Sequence, residues 1–307
     1  MTTALRAKRP TPDQSTKALT ERQILIATAG DAESLGALKL VALLAARDGS
    51  PVVAVGVATP FPHNVSNLVS MRQPVALDEQ ARHDVLEKVR RAVHRIPGTD
   101  AWEKRAFIGM APDVINASAS SWKASLIVLG IGQHGRMRRI FRAETAVGVM
   151  RSATVPVLAV PPSVTTLPMR AVAAIDFTPA SLAAAVLAAD LLADDGTLLV
   201  AHVSAFRGAQ SKPGDLVDVY RAGARAKLDD AVRTLKRRTK RRVEGVMLAG
   251  EPGALLVSYA RREHCDLIAL GGHHLGLMDR ILLGSVRTRV MRDAACAVLI
   301  VPPESQG

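Results

Sequence analysis

The sequence is poor in cysteine, aromatics and long apolar runs, and each shortage excludes something. Two cysteines among 307 residues, Cys265 and Cys296, cannot build a disulfide framework, so a reducing cytoplasm is the expected setting. Aromatic residues are only 3%, so the core has to be made from Ala, Val, Leu and Ile. No apolar run reaches the length that crosses a bilayer; SLIVL and AVLIV are strand-sized. Residues 1–21, MTTALRAKRPTPDQSTKALTE, lack the apolar centre of a secretion signal and read as a polar, flexible, basic tail. Neither a Gly-x-Ser-x-Gly elbow nor a Walker Gly-Lys-Ser/Thr occurs, which removes the commonest hydrolase and P-loop readings.

What is present describes a globular protein with room for two domains, each with its own core: 48% hydrophobic and 22% charged residues. The net charge is +12. Much of it lies in the tail and in residues 221–242, RAGARAKLDDAVRTLKRRTKRR. There Leu228, Ala231, Val232 and Leu235 recur at helical spacing among basic residues, which predicts a basic amphipathic helix over 221–242. Its wet face is either simply solvated or a surface for an acidic partner or nucleic acid; no nucleic-acid motif accompanies it.

The chain repeats itself. LIVLG at 126–130 matches LIALG at 267–271, and PVLAVPP at 156–162 matches AVLIVPP at 297–303, both at an offset of 141. Gly109 and Gly250 share that offset, whereas the first strands, QILIATA at 23–29 and RAVAAID at 170–176, are 147 apart. The spacing is too long for a solenoid and means duplicated domains. The expected division is a first domain over 22–161, a Pro-rich linker over 162–169 and a second domain over 170–303. In each copy short continuous apolar runs alternate with Ala/Leu-rich or amphipathic helical stretches. That pattern predicts an α/β fold, in each copy a mainly parallel five-stranded sheet with helices on both faces. Thr178-Pro179 is a helix-start signal, a hydroxyl cap before Pro at the first helical position.

Ligands of such sheets bind beyond the C-terminal strand ends, where the winding reverses. Asp176 ends the first strand of the second copy and Gly271 ends its LIALG strand, so neighbouring strands would set both on one crevice. The segment from Gly271 to Ser285, GGHHLGLMDRILLGS, reads as a strand end, a turn and a helix start. Backbone N–H groups and the helix dipole make such a place receptive to anions.

The whole pattern resembles the universal stress protein family, whose nucleotide-binding members carry Gly, two residues, Gly, nine residues, Gly, then Ser or Thr. Here Gly271 and Gly284-Ser285 fit that register, AAIDFTPAS resembles the family's first strand with its Asp, and LLVAHVS its second strand. The resemblance covers the chain beyond the tail once per copy and implies a tandem, Rossmann-like member of the adenine nucleotide alpha hydrolase-like type. It implies an adenine nucleotide, ATP or AMP, with or without Mg²⁺. The site residues it implies are Asp176, Val203, Gly271, His274, Gly284, Ser285 and Val286. His274 stands where the family has its second glycine; a side chain there either burdens the turn or offers the phosphate a donor. In the first copy the Asp position is Ala29, the second glycine is Gln133, and Gly-Ser has become Ala143-Glu144. A carboxylate there has the wrong sign for an anion, so the first copy is expected to be structural. The resemblance also implies that the two domains pair through PVLAV and AVLIV as an intramolecular pseudo-dimer, with a homodimer as a further option.

His264, Cys265, His273 and His274 invite a zinc reading, but an intervening strand separates the two groups by roughly 20 Å at ~3.3 Å per residue, too far for one tetrahedral site. Asp176 has no evident general base beside it, so no residue is assigned a catalytic role. The sequence therefore points to a stress-response or regulatory nucleotide binder with an unknown protein partner. A nucleotide-independent interaction protein using the basic helix, and a slow ATPase, stand as alternatives.

Overall fold

The computed structural model of the chain describes residues 22–60, 73–132, 145–204, 216–272 and 285–303. The continuous apolar runs become strands. In the first copy these are β1 (Ile24–Ala27), β2 (Val52–Ala58), β3 (Glu103–Ile108), β4 (Leu126–Gly130) and β5 (Val157–Val160). Between them run α1 (Leu35–Asp48), α2 (Gln73–His94), α3 (Ala111–Ser121) and α4 (145–152). The second copy repeats the order with β6 (Arg170–Ala174), β7 (Thr197–Ser204), β8 (Arg242–Ala249), β9 (Leu267–Gly271) and β10 (Ala297–Val301). Its helices are α5 (Pro179–Leu191), α6 (Leu216–Arg238), α7 (Pro252–Arg262) and α8 (Ser285–Asp293).

All the strands join one sheet in the order β3-β2-β1-β4-β5-β10-β9-β6-β7-β8. Pairing is parallel within each copy. The last strands meet antiparallel, with Val157 opposite Ile300, Leu158 opposite Leu299 and Ala159 opposite Val298. Each pairing closes an edge that would otherwise expose unpaired backbone groups. Because the copies run in opposite directions, their C-terminal strand ends open at opposite ends of the sheet.

Strands covered on both faces need two core layers, and the alternation of side chains supplies them. One layer holds Leu38 and Leu44 of α1, Val89 of α2, Leu191 of α5 and Leu228 of α6. The other holds Ile115 of α3, Val149 of α4, Leu256 of α7 and Val290 of α8.

The helix ends follow from local chemistry. Thr178 caps α5 by accepting from the Ser181 N–H, with Pro179 first in the helix, as its sequence predicts. Glu251 caps α7, its carboxylate accepting from the N–H groups of Gly253 and Ala254 at 2.9 and 2.7 Å. The basic helix differs from its expected span, running from Leu216 to Arg238 rather than over 221–242. After buried Leu235 the chain offers KRRTKR, with nothing apolar to hold a helical face, and the next apolar residue, Val243, is buried by β8.

Polar contacts join the copies near the end of α5. Arg47 of α1 donates through Nη1 to Leu192 O at 2.8 Å and through Nη2 to Asp190 O at 2.7 Å. Arg241 also donates to Leu192 O, at 3.1 Å. These guanidinium groups satisfy carbonyls left over at the helix end and suit its negative dipole pole. Arg22 lies 3.9 Å from Asp190 and 3.6 Å from Asp48. Burial raises the pKa of Asp190 despite the opposing charges of Arg22 and Arg47.

Candidate functional site

In the second copy β6 pairs with β7 on one side and β9 on the other. The winding therefore reverses between β6 and β9, and a crevice opens beyond their C-terminal ends. Asp176 lies two residues past β6, Val203 is next to last in β7, and Gly271 ends β9. Val203 and Val286, in the first turn of α8, pack against the core layer shared with α7. Ser285 opens α8. His274 and Gly284 lie outside the described residues, as do His273, Gln133, Ala143 and Glu144.

A short hydrogen-bonded turn orients Asp176. Its Oδ1 accepts from the Thr178 backbone N–H at 3.0 Å and from the Thr178 hydroxyl at 2.5 Å. The Asp176 N–H donates to Ser181 Oγ at 3.4 Å, and that hydroxyl donates to Thr178 O at 2.9 Å. The carboxylate remains exposed at the mouth of the crevice. Gly271 is required by contact: a Cβ there would collide with the backbone N and Cα of Ser181. The end of β9 thus lies directly against the first turn of α5.

Sequence reasoning missed two residues. Phe177 holds φ at +68°, a conformation costly for a side chain of its size. Its ring centroid lies 4.6 Å from that of His202, and Lys227 Nζ is 5.9 Å from it. His202 is held in turn, its Nδ1 2.9 Å from Ile175 O. The signal was available: at the offset of 147 the counterpart of Phe177 is Gly30, also left-handed at φ +74°. The second is Arg287, in the first turn of α8. Burial lowers its pKa and the charge of Asp176 opposes that shift. In the first copy Asp176 is matched by Ala29 and Arg287 by Ala146.

Elsewhere, no group of three or more His, Cys, Asp or Glu among the described residues could hold a metal ion. No helix among them is long and apolar enough to cross a membrane.

The universal stress protein family model matches residues 21–161 and again 169–302. The chain belongs to the universal stress protein family. A universal stress protein of Methanocaldococcus jannaschii is 44% identical over 55 residues, 18% of this chain and 32% of that protein; the matched part spans about a third of that relative. A universal stress protein of Archaeoglobus fulgidus has a similar fold, with TM-score 0.59 and 17% identity over 92% of this chain and 98% of its own. A universal stress protein solved in complex with cAMP is 27% identical, covering 44% of this chain and 98% of its own, with TM-score 0.39. Two tandem family segments thus make one mostly parallel sheet with helices on both sides.

Proposed function

We propose that this universal stress protein binds an adenine nucleotide, ATP or AMP, in the crevice of its second copy, with the domains divided at 22–161 and 170–303. The observation that carries the reading is the convergence of Asp176, Val203 and Gly271 at the strand switch point, beside the first turn of α8. The apolar edge of β7 at Val203 suits a flat base. Asp176 is placed to accept from ribose hydroxyls or an exocyclic amine. Arg287 and the opening of α8 at Ser285 and Val286 provide positive character for phosphates. His274 and Gly284 complete the loop that the family pattern assigns to phosphate, and Mg²⁺ is an optional companion.

Binding is read out through a partner surface, in a stress-response or regulatory role. A ligand that favours one arrangement of the crevice shifts the population presented to that partner. Denaturing freshly purified protein and separating the released small molecules by ion exchange tests this directly. One adenine nucleotide per chain, lost with Asp176→Ala while the fold is retained, is the expected result. An empty protein that also fails to bind added ATP with Mg²⁺ overturns the reading.

One observation favours a second reading. Lys236, Arg237, Arg238 and Lys240 are all exposed where α6 turns into β8, a density of positive charge that suits a polyanion. Association with nucleic acid that weakens steeply with salt and ignores nucleotide would support this reading.

A further inference from the structure

A cavity of about 370 Å³ lies under the linker, at the starts of β9 and β10 and so at the far end of β9 from Gly271. The linker is tied down on either side of it. The Val164 N–H donates to Pro161 O at 3.2 Å, and Pro168 O accepts from the Ala193 N–H at 2.8 Å. The N–H groups of Met169 and Arg170 donate to Asp266 Oδ2 at 2.8 and 3.0 Å. Residues 163–166, between these ties, line one side of the cavity. Pro161, Pro162 and Pro168 fix φ along this segment, so the space is formed before any ligand arrives. The opposite wall is apolar, with Val257, Ala260 and Ile268 beside the thiols of Cys265 and Cys296, and Leu40 reaches it from α1 of the first copy.

The charges at this cavity are unequal. Its acid, Asp266, is committed to the two backbone N–H groups, whereas Arg261 and His264 line it as exposed side chains. The neighbouring Glu263 is taken by Arg170 and Arg262, at 3.6 and 3.1 Å. Among the described residues the Arg261 guanidinium has no ion-pair partner. Arg261, Cys265 and Cys296 are matched in the first copy by Ser120, Ala124 and Val155, so this chemistry belongs to the second copy alone.

We infer that the cavity is a binding site for a small amphipathic carboxylate, whose apolar body lies on the wall of α7 and β9 and whose head meets Arg261. A guanidinium pairs with a carboxylate through two parallel N–H donors, and His264 offers a further ring N–H. An apolar cavity of about 150 Å³ holds one benzene ring; at that density this one takes a ligand of about fifteen heavy atoms. Such a ligand touches both copies and the linker together. The inference does not depend on nucleotide binding at the other end of β9.

The test is calorimetric titration of the full chain with 1-naphthylacetate and with 1-naphthylacetamide, its uncharged counterpart of the same shape. The acid should bind once per chain and about tenfold or more tightly than the amide, the difference made by one charge-assisted pair. Arg261→Gln, at an exposed position, should bring the acid down to the affinity of the amide and leave the amide unchanged, a result that misfolding cannot imitate. Bound acid should also slow the labelling of Cys296 by methyl methanethiosulfonate, followed by peptide mass spectrometry. Saturating ATP with Mg²⁺ should leave the acid's affinity unaltered. Equal binding of acid and amide, an unprotected Cys296, displacement by ATP, or no binding at millimolar concentration would each overturn the inference.

Discussion

At Gly271 an added methyl group would strike backbone atoms of Ser181, which cannot swing aside. Gly271→Ala is therefore expected to cost roughly 1–3 kcal/mol, read from the urea midpoint. Gly223, in the exposed face of α6, has nothing within 4 Å of an added Cβ. Gly223→Ala should instead stabilise by about 0.5–1 kcal/mol, and equal effects at the two positions would count against the packing of β9 on α5. Burial pushes the Cys265 thiol up to about 11 and that of Cys296 up to about 12, from an ordinary value of 9.0. Both folded values lie above the unfolded one, so the stability associated with the neutral thiols is complete below pH 9. It is lost as pH rises from 9 through 11 and 12. Native thiols should also react with a maleimide at pH 8 more slowly than in the unfolded chain, by about a hundredfold for Cys265 and about a thousandfold for Cys296, following the fall in thiolate. The strand-end positions of Asp176 and Gly271 were legible in the sequence, just past β6 and at the end of β9. Arg287 was not, because an arginine in a helix's first turn looks like surface until the fold brings it to Asp176.

The start of α5 links stability to the site. Thr178 caps the helix through its hydroxyl, and the same hydroxyl donates to Asp176. Thr178→Val should cost about 1 kcal/mol and weaken nucleotide binding, whereas Thr178→Ser should retain most of both. Calorimetric melting and nucleotide titration of the two variants check this together; a Val variant that binds normally would mean the turn does not position Asp176. At this scale much was legible, since apolar runs, Ala/Leu-rich stretches and Thr-Pro pairs are local signals that correspond to local structure. The end of α6 was misread because charged residues continue helical spacing as readily as they leave it. Only the burial of Val243 in β8 decides where the helix stops.

Across the whole molecule the sheet is continuous, and the copies are tied by the pairing of β5 with β10, three residue pairs long, and by the contacts of Arg47 with the end of α5. Both tryptophans, Trp102 and Trp122, lie in the first copy, and both tyrosines, Tyr220 and Tyr259, in the second. Urea unfolding followed by tryptophan emission and by tyrosine absorbance should coincide in the wild type. Arg47→Met removes charged donors from two carbonyls, with an expected loss of about 1.5–3 kcal/mol and a separation of the two transitions. Coincident curves in that variant would mean that the Arg47 contacts are not needed to couple the copies. The repeat offset made the duplication readable, but the pairing of last strands came from family resemblance. The Arg47 contacts were invisible, since 143 residues separate Arg47 from Asp190 and no local pattern joins them. The antiparallel meeting of β5 and β10 has one more consequence. It reproduces the two-fold geometry of a symmetric pair inside one polypeptide. In a pair of identical chains every mutation arrives twice, so one half cannot change its ligand without the other. Fusion ends that constraint: this chain has Ala29 and Ala146 on one side of its axis and Asp176 and Arg287 on the other, an inheritance that no homodimer could divide.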